Sequence, residues 1–208
     1  MLRMLVSAVM LLMLPVLTGC ALTRTEGVYR YQPESLRLPM PPGLLSGMEV
    51  SGVVVDDARY RQDKRVLVNK RNGRAQVMSG VWAADRPLGE YTQQAFEAGM
   101  KQAGIAALAD SALALRVTIH RLDERIAESG YMSIKFEMVM AVQVALVERD
   151  SGQAVWQDTF VGRSPVNARW LHFGVDDYTR SLQTTLNDLV SKVLTAPEFQ
   201  RTLQAGRA

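Results

Sequence analysis

Residues 133–150, SIKFEMVMAVQVALVERD, place Ile134, Phe136, Met138, Met140, Val142, Val144 and Leu146 at every second position. That period is the mark of a strand with one buried face. ALALRVTIHRL behaves alike, with Leu113, Leu115, Val117 and Ile119 on one side and Arg116, Thr118 and His120 on the other. MEVSGVVVDD gathers Val50, Val53, Val54 and Val55 before an acidic turn and predicts a buried strand. In ARYRQDKRVLVNKRNGRAQV, Val66-Leu67-Val68 and Ala75-Gln76-Val77 flank Asn72-Gly73. Asn-Gly suits the positive φ angles of a tight hairpin turn. Asp150-Ser151-Gly152 predicts a further turn into AVWQDTFVG.

Two stretches change period. PLGEYTQQAFEAGMKQAG puts Leu88, Tyr91, Ala95, Phe96, Gly99 and Met100 on one face of a helix. Pro87 suits its first turn and Gly104 the position past its end. YTRSLQTTLNDLVSKVL repeats the pattern through Tyr178, Leu182, Leu186, Leu189, Val190, Val193 and Leu194. Asp176 or Asp177 is its expected cap, Pro197 ends it, and Phe199 and Leu203 continue as a short docked turn. Each helix has one apolar face to bury, so the order predicts an α+β two-layer sandwich. A mixed, mainly antiparallel sheet would carry two amphipathic helices on one face, with the first strand parallel to a later one.

The other sheet face then lacks helices. On the long strand it carries Lys135, Glu137, Val139, Ala141, Gln143, Ala145 and Val147, less polar in the middle than a solvated face. Two readings stand open: a docking or self-association surface, or a face covered by the segment around Leu36 to Leu45.

The first residues carry a different signal. Arg3 precedes an uncharged apolar run, Met4 to Leu17, which at about 14 residues is shorter than the roughly 20 a spanning helix needs. Pro15 interrupts it near its end. Residues 1–19 are expected to be a signal peptide. Leu17-Thr18-Gly19-Cys20, at the end of that run, resembles the bacterial lipobox, in which the cysteine becomes diacylated. The resemblance implies lipid on Cys20 and, with Ala21 rather than aspartate next, export to the outer membrane. Stable anchoring takes more than one acyl chain, which a diacylated cysteine supplies.

Residues 20–47 hold Pro33, Pro39, Pro41, Pro42 and Gly43 and show little apolar period. They are expected to form a tether reaching roughly 30 Å if flexible. The alternative is an ordered strap, with Leu36, Leu38, Leu44 and Leu45 packed along a single domain of residues 48–208.

Composition narrows the chemistry. The 208 residues are 48% hydrophobic and 22% charged, which excludes a wholly disordered chain. A net charge of +3 does not argue for nucleic acid. One cysteine permits no internal disulfide and no thiolate metal site, and His120 and His172 lack ligand spacing. No cofactor or metal is expected. Asp56 and Asp57 are paired carboxylates that could serve in acid/base chemistry or bind a cation, and a strand-ending turn explains them as well. No Gly-x-Ser-x-Gly, His-Glu-x-x-His or phosphate loop occurs.

Candidate contacts remain. Arg59, Arg61, Lys64, Arg65, Lys70, Arg71 and Arg74 form a basic stretch interrupted by Asp63, suited to anionic lipid, cell-wall polymer or an acidic partner, or simply to solvent. Trp170 and Phe173 in ARWLHFG suggest an aromatic contact patch or a loop folded over the sheet edge.

LTGC, MEVSGVVVDD, YTQQAFEAGMKQAG, the two alternating strands and LNDLVSKVLTAPEFQRTLQ together resemble the YajG-type lipoproteins of Gram-negative bacteria. The resemblance spans most of residues 48–205; the basic hairpin and the WLHF loop depart from it. It brings no catalytic residues. Lipoproteins with similar two-layer domains include penicillin-binding-protein activators and the curli-secretion pore subunit, which implies partner binding or assembly. The expected function is a non-catalytic, lipid-anchored envelope lipoprotein with its domain in the periplasm and a protein partner or itself as ligand. The rivals are an envelope hydrolase acting on cell-wall glycan, with Asp56 or Asp57 as acid, and an oligomeric secretion or transport accessory.

Overall fold

The computed structural model describes residues 24–71, 76–129, 134–166 and 174–206. The architecture is mixed α+β. Alternation produces the expected long strands: β7 (Leu113–Ser129), β8 (Ile134–Glu148) and β9 (Ala154–Val166) run as an antiparallel meander. The valine strand β3 (Val53–Asp57) lies parallel to β7, giving a four-stranded sheet in the order β3-β7-β8-β9. Phe136, Met138, Met140, Val142, Val144 and Leu146 are all fully buried on its inner face.

The register of β7 against β8 shifts at two points, between Ile119 and Arg121 and between Ile126 and Glu128. Ile119 pairs with Val142 and Arg121 with Ala141, so His120 is the extra residue of a bulge. Before it the odd positions are buried; after it Leu122 and Glu124 point inward.

Helices α1 (Leu88–Ala103) and α2 (Val175–Thr195) cover the inner face. Every residue of their two expected apolar stripes is buried. Gly104 follows α1 at φ 89°, a left-handed cap that costs other residues a Cβ clash. Asp177 accepts a hydrogen bond from the Gly174 N–H at 3.1 Å and so closes the α2 start. After Pro197 the chain does not merely turn: it forms a third helix, α3 (Pro197–Ala205), which buries Phe199 and Leu203. Phe199 meets Trp156 edge-on at 5.5 Å.

The basic hairpin does not join the large sheet. Its strands β4 (Val66–Arg71) and β5 (Val77–Ala84) pair antiparallel, and β5 also takes a parallel strand, β1 (Thr25–Gly27). The Asn72-Gly73 turn lies outside the described residues. A two-residue parallel pair, β2 (Glu49–Val50) with β6 (Ala106–Ala107), completes the strands.

Residues 24–47 are bound along their length. Tyr29, Leu36 and Leu45 are buried. The Gln32 N–H donates to Gln183 Oε1 at 2.9 Å, and the Tyr31 hydroxyl to Asn187 Oδ1 at 2.9 Å, both on α2. The Tyr91 hydroxyl donates to the Tyr29 carbonyl at 2.6 Å. The N–H groups of Gly43 and Leu45 reach the carbonyls of Gln102 and Ala103, which the last turn of α1 leaves without helical partners. The segment is a strap over the helices, on the far side from the outer face of the large sheet.

Candidate functional surface

The basic stretch splits into separate roles. Arg59 is buried, and its fork is fully used. Nε and Nη2 grip Asp57 at 2.9 and 2.7 Å; Nη1 donates to the carbonyls of Val66 and Leu67, and Nη2 also to that of Lys64. It joins β3 to β4 across the intervening loop. Lys64 donates to the carbonyls of Asp57 and Arg59 at 2.6 and 2.7 Å. Lys70 is buried, its ammonium 4.9 Å above the Trp82 ring. Arg61 donates to Asn69 at 3.3 Å. Arg65 holds Asp63 at 3.0 Å, and hydrogen bonds from the Arg65 side chain and backbone keep that carboxyl well below the usual carboxylate range. Arg71 sits at the end of β4, half-buried. Arg74, Trp170, His172 and Phe173 lie outside the described residues. The stretch is therefore not one open cationic face.

The two aspartates also part. Asp57 faces inward in the Arg59 fork, whereas Asp56 faces outward opposite Thr118. They point to opposite sides of the strand and do not converge on a common site.

The outer face of the four-stranded sheet can be read row by row from the register. Val54, Arg116, Ala145 and Gln157 form one row; Asp56, Thr118, Gln143 and Thr159 the next; then Arg121, Ala141 and Val161; then Asp123, Val139 and Arg163. No described element covers it. Val54 is 58% and Val161 36% exposed, yet Val139, Ala145 and Val147 are buried. Arginine and glutamine stems from the neighbouring strands can lie over these short residues. Arg163 pairs with Glu137 at 2.9 Å, and Arg121 with Asp123.

The two edges of that sheet differ. On β9 the outward Arg163 N–H donates to Asp188 Oδ2 at 2.8 Å, and Val161 C=O accepts from Lys192 at 2.9 Å. The Thr159 N–H is taken by Asp158, and Pro165 has no N–H to offer. This edge is closed to a further strand. The β3 edge instead borders a groove of about 530 Å³ lined by Val53, Met100, Lys101, Ile105 and Ala106.

One internal polar cluster had no counterpart among the sequence-level candidates. The Tyr178 hydroxyl donates to Glu124 Oε2 at 2.5 Å, with both groups buried. Tyr178 stacks on Trp82, with ring centroids 3.8 Å apart, and on Phe136 at 5.3 Å. Burial pushes the Glu124 carboxyl up, against the hydrogen bond from Tyr178 and the nearby Arg71 charge. The signal was a glutamate in the apolar phase of β7, legible only once the bulge at His120 is known.

No family model matches the chain, that of the YajG-type lipoproteins included, and no curated protein matches it. Among solved structures it is similar to protein XCC0632 from Xanthomonas campestris, of family model DUF330. That likeness covers 87% of this chain and 99% of the other at 15% identity and a TM-score of 0.56. An uncharacterised protein shares 14% identity over 82% of this chain and 96% of its own, at a TM-score of 0.47. A PelC dodecamer from Paraburkholderia phytofirmans shares 16% over 77% and 95%, at 0.39. Among the described residues no helix is long and apolar enough to cross a membrane. The likeness to XCC0632 shows a shared fold.

Proposed function

We propose that the chain is a lipoprotein of the bacterial envelope, held at the outer membrane by acyl chains on Cys20. Its periplasmic domain binds a protein partner or further copies of itself and catalyses no reaction. The observation that carries this reading is Leu17-Thr18-Gly19-Cys20 directly after the uncharged run from Met4. Membership of the YajG-type lipoproteins belongs to the same proposal. The contact surfaces it assigns are the outer sheet face around Val54 and the groove along β3. The hydrolase reading is weaker, because Asp57 is committed to Arg59 while Asp56 points to the opposite side of the strand, so the pair does not act together.

Cys20→Ala tests the anchor. Metabolic labelling with a radioactive fatty acid should mark the native chain and not the variant, which should accumulate as precursor. A variant that matures and fractionates with the outer membrane would sink the proposal. Crosslinking in intact cells tests the second half: recovery of neither a partner nor a multimer counts against binding. Sizing in detergent separates a ring from a monomer.

A further inference from the structure

The lipid anchor proposed at Cys20, on which this inference rests, gains a short and definite reach from the fold. Thr25–Gly27 is already a strand paired with β5, and the Arg24 guanidinium bonds Glu26 at 2.8 Å and Asp63 at 2.9 Å. The chain is thus moored from residue 24 onward, not from residue 48. Four peptide steps from Cys20 to Arg24 span at most about 14 Å. The interfacial layer on one side of a bilayer takes about 5–7 Å of this. The clearance left is about the length of one arginine side chain.

What lies at that clearance is the loop of residues 58–65, tied to Arg24 through Asp63. At its tip Tyr60 is 107% exposed, with no contact for its ring. Such a side chain, apolar in body and polar at its end, prefers the headgroup level of a membrane. The same loop carries Arg65 and the half-buried Arg61, and Arg24 joins it through Asp63, so three guanidiniums stand against the carboxylates of Asp63 and Glu26. Guanidinium forks match phosphate oxygens.

We infer that the 58–65 loop and Arg24 form a membrane-contact surface. Tyr60 seats in the headgroup layer of the leaflet that holds Cys20, and Arg24, Arg61 and Arg65 face its phosphates. The domain then rests on the bilayer in one orientation instead of swinging on a tether.

The test uses full-length acylated protein in vesicles of phosphatidylethanolamine and phosphatidylglycerol. A nitroxide is placed on Gln62→Cys, in the loop, or on Ser151→Cys, in the β8–β9 turn. Acylation consumes the Cys20 thiol, so each label is unique. The two sites are well separated: the loop follows the strand end paired with Ile119, and the turn adjoins Leu113, about 20 Å away along β7. Collision with a water-soluble nickel relaxant should be several-fold slower at residue 62 than at 151. Tyr60→Ser, at a site that packs against nothing, should shrink that difference. Equal accessibility at the two sites, with acyl chains on Cys20 by intact mass, overturns the contact surface and leaves the anchor standing. A Cys20 without acyl chains overturns the anchor and this inference with it.

Discussion

Arg59 and Arg65 belong to one basic run yet sit in opposite environments. The Arg59–Asp57 side chains are 3% and 8% exposed, and every donor of the fork has an acceptor. Arg59→Ala strands a buried carboxylate and three carbonyls, so it should cost about 3–5 kcal/mol in urea unfolding. Arg65→Ala, on the solvated Asp63 pair, should leave the unfolding midpoint nearly unchanged. Glu124 gives a pH signature. Its carboxyl is raised by burial in the folded state, so between the unfolded value and the folded one the native state binds more protons. Stability contributed by this site therefore falls as pH rises through that window. Glu124→Gln should flatten the slope there; an unchanged profile in thermal melts from pH 4 to 8 would show that the site does not govern it. Neither fate is readable locally. Nothing in RYRQDKR distinguishes Arg59 from Arg65, because their acceptors lie on β3 and β4 in one case and in the loop itself in the other.

At the scale of elements, the strap separates two accounts of residues 24–47. Leu36 is buried against α1 and α2. Leu36→Ala should therefore cost about 2–5 kcal/mol, as in any core, whereas a loose tether would tolerate it without loss. Denaturant titration decides. The β9–α2 contact is equally close: a Cβ on Gly162 would come within 2.6 Å of the Thr185 carbonyl oxygen. Because backbone cannot swing aside, Gly162→Ala should destabilise by about 1–3 kcal/mol. Edge closure gives the third expectation. Asp188 and Lys192 pair at 2.6 Å while capping β9, so replacing both with alanine should open a strand edge. Concentration-dependent association in sedimentation should follow. The long strands and both helix faces were legible because alternation and the 3.6-residue period are local. β1 was not, since a strand of three residues carries no period and is defined by its partner, Trp82–Ala84.

For the whole molecule, the domain presents a closed edge at β9, a grooved edge at β3 and an uncovered face between them. If partners dock on that face, Val54→Lys with Val161→Lys should abolish crosslinked products in cells. The unfolding midpoint should stay within about 0.5 kcal/mol of native, as for most surface substitutions. Unchanged crosslinks would direct attention to the groove lined by Met100 and Lys101. By itself the sequence determined the strand and helix faces, the α+β class and the acylation motif that motivates the envelope reading. Each of these rests on residues a few positions apart. Only the tertiary structure decided that the strap lies on the helices and that the basic hairpin builds its own sheet with β1. It also decided that Arg59 faces inward and that Glu124 meets Tyr178. Those outcomes depend on pairs such as Tyr91 with Tyr29 and Gln32 with Gln183, set 62 and 151 residues apart. Such contacts form only when the whole chain has closed around one core, and no local pattern encodes them.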